Sequence, residues 1–107
     1  MVKLAISGRI YDIPEEILLS RNPVGTTTLE RFAKNSLEER IEISDFFSKK
    51  DECFYFQRSP EFFEKILIFY RSGILHLPEQ FCEIQLQEDF YFWQLEETSL
   101  CQRCLEK

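Results

Sequence analysis

Residues 59–73 read SPEFFEKILIFYRSG, and this stretch decides how the chain folds. It opens with a serine suited to a helix cap, a proline at the first helical position and a glutamate in the first turn, a combination that marks a helix start. Gly73 ends the helix, because glycine accepts the left-handed conformation at a helix C-terminus. Apolar residues recur at helical spacing along two adjacent stripes, which predicts a buried central helix. The stripes carry Phe62, Ile66 and Phe69, and Phe63, Leu67 and Tyr70.

Two short strands are predicted near the start of the chain, over residues 3–7 and 9–13, where apolar residues alternate with polar or small ones. Ser7 and Gly8 supply the tight turn between them, since glycine adopts positive φ without strain. Pro14 then suits the first turn of a short helix. This arrangement predicts a small sheet in the N-terminal part of the chain.

Three features are predicted between these strands and the central helix. Thr27 and Glu30 fit a capping box, with a hydroxyl at the cap and a carboxylate one turn later, and so open a short helix. Residues 34–50 carry dense charge and are predicted to be a loop with one short element around residues 41–47. Residues 53–57 read CFYFQ and predict an aromatic-rich strand.

Helices dominate the predicted second half of the chain. Helical patterning resumes from about Glu79, with Phe90 and Trp93 facing inward, and a last short helix or turn carries Cys101 and Cys104. Strands and helices are interleaved along the sequence. The predicted class is therefore α+β or α/β, with a small N-terminal sheet.

The composition limits the possible functions. A chain of 107 residues forms one domain, predicted over 1–107, and a hydrophobic fraction of 44% with eleven phenylalanines supplies a core. The net charge of −6 argues against binding to nucleic acid or anionic lipid, because both need clustered basic residues.

The longest apolar run, residues 66–70, is too short for a membrane span, and no secretory signal is visible. We therefore expect a cytosolic chain without direct membrane insertion, in a reducing compartment where clustered cysteines bind metal more often than they form disulfides.

The only histidine and three of the four cysteines fall within residues 76–104. Imidazole nitrogen and thiolate sulfur are the ligands that zinc prefers, and four of them fill its tetrahedral shell. A shell filled by protein side chains leaves no position for substrate, so the pattern predicts a structural zinc. The candidate ligands are His76, Cys82, Cys101 and Cys104.

Cys101 and Cys104 form a C-x-x-C pair, a common zinc half-site whose members share one face of a helix or tight turn. A redox pair is the alternative, but that chemistry needs a thioredoxin-like βαβ context with the motif opening a helix. Cys53 lies in the aromatic strand and is expected to be a buried small apolar residue. No Ser-His-Asp set is supported and the acidic pairs lack a pocket signature, so we expect that the chain is not an enzyme.

Five segments carry a resemblance to a known family. Residues 52–58 read ECFYFQR, residues 75–78 LHLP and residues 88–95 EDFYFWQL; residues 59–73 and AISG at residues 5–8 complete the set. In this order they resemble the cytoplasmic tetramerisation domain of voltage-gated potassium channels. That family has the segments EYFFDR, LHLP or LHYP, and EELEFWGL, with NVGG near its start.

The resemblance implies a BTB/POZ-like fold of the α+β class, assembled as a ring of four identical subunits. It implies a position in the cytosol, ahead of the first membrane span of a channel, and a role in self-assembly and subtype matching rather than conduction. The implied partners are further copies of the chain and closely related channel subunits. The alternative is a BTB-type interaction adaptor, such as a cullin ubiquitin-ligase adaptor, that is not part of a channel.

The non-Shaker classes of these channels (Shaw, Shal and Shab) carry a zinc signature, a His-x5-Cys segment followed by a Cys-Cys pair. His76 and Cys82 match its first half. In the second half, Cys104 stands at the second paired position and Arg103 at the first, while Cys101 is the nearest other thiol. The resemblance implies a zinc shared between subunits, with Cys82 supplied by one chain and the other ligands by its neighbour. The third ligand is left open between Cys101 and water.

Specificity among subunits is expected to come from charge matching, since wrong partners are rejected by unpaired or like charges. A head-to-tail interface whose rotation closes would produce the ring. The candidate residues for charge matching are Glu38, Glu39, Arg40 and Asp45.

Overall fold

The structure, a computed structural model, describes residues 1–19, 27–95 and 101. Within these residues it contains four strands and five helices, which confirms the predicted α+β class with helices in the second half. None of the helices in this described part is long and apolar enough to cross a membrane. In chain order the elements are β1 (Val2–Ile6), β2 (Arg9–Ile13), α1 (Glu15–Leu19), α2 (Thr28–Lys34), α3 (Leu37–Ile43), β3 (Phe46–Ser48), β4 (Cys53–Phe56), α4 (Pro60–Ser72) and α5 (Glu83–Trp93).

The four strands form a sheet in the order β2-β1-β4-β3. β1 and β2 make the predicted antiparallel hairpin, and the turn between them uses positive φ at Ser7 (47°) and Gly8 (95°). β1 also pairs in parallel with β4, with Lys3 opposite Cys53. A parallel pair needs a crossover connection, and the chain segment with α1, α2 and α3 provides it. β3 pairs with β4 and forms one edge of the sheet.

Helix α4 forms as its sequence predicts. The Ser59 side chain accepts a hydrogen bond from Phe62 N at 3.2 Å, and Pro60 occupies the first turn. Gly73 ends the helix with a φ of 85°, and its N–H donates to Phe69 O at 2.8 Å. Both apolar stripes face the interior, because five of their six members are buried and the sixth packs against the core.

The start of α2 connects three helices. The Thr27 hydroxyl accepts a hydrogen bond from Glu30 N at 3.2 Å, which confirms the predicted cap. The same hydroxyl is hydrogen-bonded to the Tyr70 hydroxyl of α4. Thr28 donates to Phe92 O of α5. One short helix terminus therefore fixes the relative positions of α4 and α5.

An aromatic core lies between the sheet and the helices. Trp93 of α5 packs against Phe56 of β4 and Phe63 of α4, with ring centroids 5.4 and 5.5 Å apart. Phe32 of α2 packs edge-on against Phe54 of β4 at 4.9 Å. All five side chains are buried, and burial of such a side chain stabilises the fold by roughly 1.5–3 kcal/mol.

The prediction for residues 34–50 is wrong. They form α3 and the edge strand β3 rather than a loop with one element around residues 41–47. The Ser36 side chain caps α3 by accepting from Glu39 N at 3.5 Å. The sequence therefore contains a second capping pattern here, Ser-x-x-Glu, beside the Thr-x-x-Glu of α2. No residue of α3 is buried, and the helix therefore lacks the wide apolar stripe that makes a helix predictable.

Helix α5 begins at Glu83 rather than near Glu79. Residues 79–82 are exposed, and Cys82 occupies the cap position without a side-chain cap hydrogen bond. Because packing of one face supplies most of a helix's stability, α5 starts just before its first residue that contacts the core. The inward face consists of Leu86, Asp89, Phe90 and Trp93.

Removal of the α4 cap tests the assignment of this helix start. We expect Ser59→Ala to lower the free energy of unfolding by about 1 kcal/mol, because the N–H of Phe62 loses its partner. Urea unfolding at one fixed protein concentration measures the change. Ser59→Asp is the matched control, since aspartate caps equally well and should keep nearly wild-type stability. Equal losses in both variants would contradict the capping role.

Candidate metal and assembly site

The connection between α4 and α5 carries His76. Leu75 is completely buried in the core, and Pro78 is buried as well, so the backbone on both sides of His76 is held in place. His76 itself is half-buried. A partly accessible imidazole on a fixed backbone suits a metal ligand, because the protein must hold each ligand near its productive position.

Cys101 reaches this connection through its backbone. Its N–H donates to the carbonyl of Leu75 at 2.8 Å, although the two residues are far apart in the sequence. Leu75 directly precedes His76, so two of the four predicted ligands lie on neighbouring backbone segments. Cys101 is half-buried, like His76.

Cys82 lies at the N-terminal end of α5 and is exposed. It lines a shallow groove together with Pro78 and Phe81. Within one chain, over residues 1–19, 27–95 and 101, no three His, Cys, Asp or Glu side chains come together as a metal site. Cys82 therefore does not join His76 and Cys101 in a single chain, and its exposed position leaves it accessible to a second chain.

Cys104, the fourth predicted ligand, lies outside the described residues, as does most of the predicted C-terminal helix or turn. The one described residue of that segment, Cys101, is not helical. The donor types still fit zinc, because an imidazole and thiolates are its preferred ligands. The complete ligand set, including His76 and Cys82, stays a prediction.

Cys53 is a structural residue, as predicted. Its side chain lies in β4 with only 1% of the residue exposed. Burial raises the pKa of the Cys53 thiol, because the thiolate form loses its solvation. A buried, protonated thiol is a poor metal ligand and a poor nucleophile.

An ion pair between a partly buried arginine and a buried aspartate lies near Cys82 and was not predicted. Arg58 Nη1 lies 3.5 Å from Asp89 Oδ1, and the Arg58 guanidinium stacks 4.1 Å from the centroid of the Phe92 ring. Burial raises the pKa of Asp89, while the positive charge of Arg58 opposes this shift. The pair joins the segment before α4 to α5 and so helps to hold the helix whose cap residue is Cys82. The sequence feature that could have revealed this ion pair is Asp89, a charged residue on the otherwise apolar inward face of α5.

Two of the four charges proposed for subunit matching are used within the chain. Arg40 donates to the carbonyl oxygens of Phe32 (2.9 Å) and Ala33 (2.8 Å), and its guanidinium also lies 3.4 Å from Glu15. Asp45 Oδ2 accepts a hydrogen bond from Gln57 N at 2.8 Å. The charge-matching hypothesis therefore depends mainly on the other two candidates, which are exposed: Glu38 and Glu39.

The sequence matches a family described as a BTB/POZ domain over residues 2–104, nearly the whole chain. This chain belongs to the BTB/POZ family. The sheet with its parallel β1–β4 pair and the surrounding helices are consistent with that fold, so the fold implied by the resemblance is confirmed.

Relatives of this BTB/POZ domain are named as potassium channel proteins. The human voltage-gated potassium channel regulatory subunit KCNG4 is 31% identical over 106 residues, which cover 99% of the chain and 20% of that protein. The human delayed-rectifier potassium channel regulatory subunit KCNS3 is 30% identical over 105 residues, 97% of the chain and 21% of that protein. Human potassium voltage-gated channel subfamily V member 1 is 30% identical over 67 residues, 63% of the chain and 13% of that protein. The chain spans about a fifth of the length of KCNG4 and KCNS3.

The predicted kinship of this BTB/POZ domain with voltage-gated potassium channels is confirmed at this level. The narrower assignment to the zinc-binding Shaw, Shal and Shab classes stays a prediction. Two of the three relatives are named regulatory subunits. The sequence reasoning did not distinguish regulatory subunits from other subunits of these channels.

Thiol reactivity tests the placement of the cysteines. In zinc-depleted folded protein we expect iodoacetamide to label Cys82 rapidly and Cys53 slowly, because Cys82 is exposed whereas burial raises the pKa of Cys53. Peptide mass spectrometry measures the labelling at each position. Protein unfolded in urea is the control, since both thiols should then react at similar rates. Equal labelling of the two thiols in folded protein would contradict this placement.

Proposed function

We propose that this BTB/POZ domain is the assembly domain of a voltage-gated potassium channel subunit, and that it forms a cytosolic homotetramer. The single observation that carries the proposal is the near-complete match to the BTB/POZ family together with relatives that are named as potassium channel subunits. In this proposal the domain catalyses no reaction. Its function is to place copies of the chain in a closed ring through a head-to-tail interface.

In this proposal a structural zinc seals each interface of the ring. His76, Cys101 and Cys104 of one subunit bind the metal together with Cys82 of its neighbour. The support is twofold: Cys101 is hydrogen-bonded beside His76, whereas Cys82 is exposed and does not join them within one chain. A metal that needs ligands from two chains converts its binding free energy into association free energy.

The magnitudes favour zinc as the main contribution to assembly. Structural zinc binding is worth about 10 kcal/mol or more in small peptides at neutral pH. Exposed ion pairs contribute roughly 0–1 kcal/mol each. Even a fraction of the zinc-binding free energy at each interface therefore exceeds the association free energy that ion pairs between exposed charges contribute.

Closely related channel subunits are the second class of partner in this proposal. The support is that two relatives carry the name of regulatory subunits, and a regulatory subunit acts on another subunit. The exposed Glu38 and Glu39 would select partners by charge, because like charges across the interface disfavour association. Co-assembly of this kind keeps the domain at the cytosolic face of a channel.

Native mass spectrometry tests the assembly. We expect a tetramer with about one zinc per chain, as four equivalent sites in a closed ring require. Addition of a strong zinc chelator should convert the tetramer to monomers. A tetramer that contains no metal, or one that keeps its full mass after chelation, would contradict the zinc interface. A monomer, with or without zinc, would contradict the assembly function itself and would favour the adaptor alternative.

Substitution of Cys82 separates assembly from folding. We expect Cys82→Ala to weaken association by at least about tenfold, because each interface loses a zinc ligand, while the folded monomer keeps its secondary structure. Analytical ultracentrifugation measures association, and circular dichroism measures folding. Cys53→Ala is the matched control, since it removes a thiol that is buried in β4. Loss of folding in Cys82→Ala with unchanged association would reverse the prediction and indicate a site within one chain.

A further inference from the structure

A groove opens between α3 and one end of the sheet. It has a volume of about 620 Å³ and lies well away in sequence from the proposed zinc ligands. Its apolar wall is formed by Leu37 and Ile41 of α3 and by Phe47 of β3. Its rim carries Lys3 and Lys49, and we call the whole depression the α3 groove.

Two apolar residues of α3 are exposed at the α3 groove. Leu37 is 56% exposed and Ile41 is 38% exposed, and α3 buries none of its residues. The helix is held by Ile43, which packs against the core, and by Arg40, which donates to two carbonyl oxygens at the end of α2. Leu37 and Ile41 therefore leave an apolar strip of α3 accessible to a ligand.

The charge at the α3 groove is opposite to that of the whole chain. The chain carries a net charge of −6, yet Lys3 and Lys49 line the groove against one acidic residue, Glu52. Arg40 also lines it, but its charge is paired with Glu15. Neither Lys3 nor Lys49 forms an ion pair within the part of the chain that the structure describes. Unpaired cations around an apolar wall attract a ligand that is itself acidic and apolar.

We propose that the α3 groove binds an acidic peptide segment of another protein. The segment inserts an apolar side chain between Ile41 and Phe47, and its carboxylates lie against Lys3 and Lys49. Apolar insertion supplies most of the affinity, whereas the two lysines increase the association rate and exclude basic peptides. None of these residues is a proposed zinc ligand, so the groove goes beyond the assembly function and is tested separately from it.

Two labelled probes test the proposal on the assembled protein as isolated. One is a short fluorescein-labelled peptide of glutamate and leucine, and the other is a matched peptide of lysine and leucine. We expect the acidic probe alone to shift the methyl NMR signals of Leu37 and Ile41. Fluorescence anisotropy gives the affinity of each probe, and the affinity for the acidic probe should fall with increasing salt.

Substitutions then locate the binding site. We expect Ile41→Glu and Lys49→Glu each to weaken binding of the acidic probe by about tenfold or more, the first through the apolar wall and the second through the rim charge. Ile84→Glu is the matched control, because Ile84 is an apolar residue of α5 that is 70% exposed and does not line the groove. It should leave binding unchanged. Circular dichroism checks that each variant is folded, and Lys49→Glu keeps the test valid if Ile41→Glu unfolds.

Four results would overturn the proposal. They are no binding of the acidic probe, equal binding of both probes, equal weakening by Ile84→Glu, and methyl shifts outside the groove. A fifth result would also overturn the proposal and would assign the groove a different role. If Ile41→Glu or Lys49→Glu changes the number of chains in the assembly, the groove is a contact between copies of the chain. Because the zinc ligands are untouched in these variants, the first four results do not bear on the metal interface.

Discussion

The backbone hydrogen bond from Cys101 to Leu75 is the contact on which the proposed metal site depends. It brings the C-terminal segment against the connection between α4 and α5, beside His76. A single backbone hydrogen bond contributes only about 0.5–1.5 kcal/mol. The bond nevertheless fixes the position of Cys101, because the acceptor belongs to Leu75, a completely buried residue of the core. The position of the candidate ligand Cys101 is thereby tied to the hydrophobic core.

The positions of these candidate ligands therefore depend on how α4 ends. Gly73 stops the helix in a left-handed conformation, and the next residues return to the core through Leu75. Helix α5 then starts with an exposed Cys82, and the ion pair between Arg58 and Asp89 holds this helix against the segment before α4. His76 and Cys101 are half-buried beside the core residue Leu75, whereas Cys82 is exposed. This separation is what a site shared between neighbouring subunits requires.

The sequence predicted the elements whose signals are local and strong. Helix α4 has a cap, a proline, two apolar stripes and a terminal glycine, and all of these features agree with one another. Helix α3 was missed because it buries no residue, so its only clear signal was the cap at Ser36. The start of α5 was misplaced because its position depends on where Leu86 first packs against the core, which is a tertiary effect. The candidate ligands His76 and Cys82 were chosen by residue type and spacing and stay a prediction. The internal use of Arg40 could not be predicted from the sequence, because it depends on backbone carbonyl oxygens of α2.

The central claim is that each zinc is bound by ligands from two chains, and joint refolding of two variants tests it most directly. His76→Ala and Cys82→Ala chains each lack one ligand at every interface when they assemble alone. In a mixed ring, an intact His76 from one variant meets an intact Cys82 from the other at some interfaces. We predict that the refolded mixture binds zinc that neither variant binds alone, measured as zinc per chain after gel filtration. A mixture that contains no more zinc than the average of the two separate variants would contradict the claim.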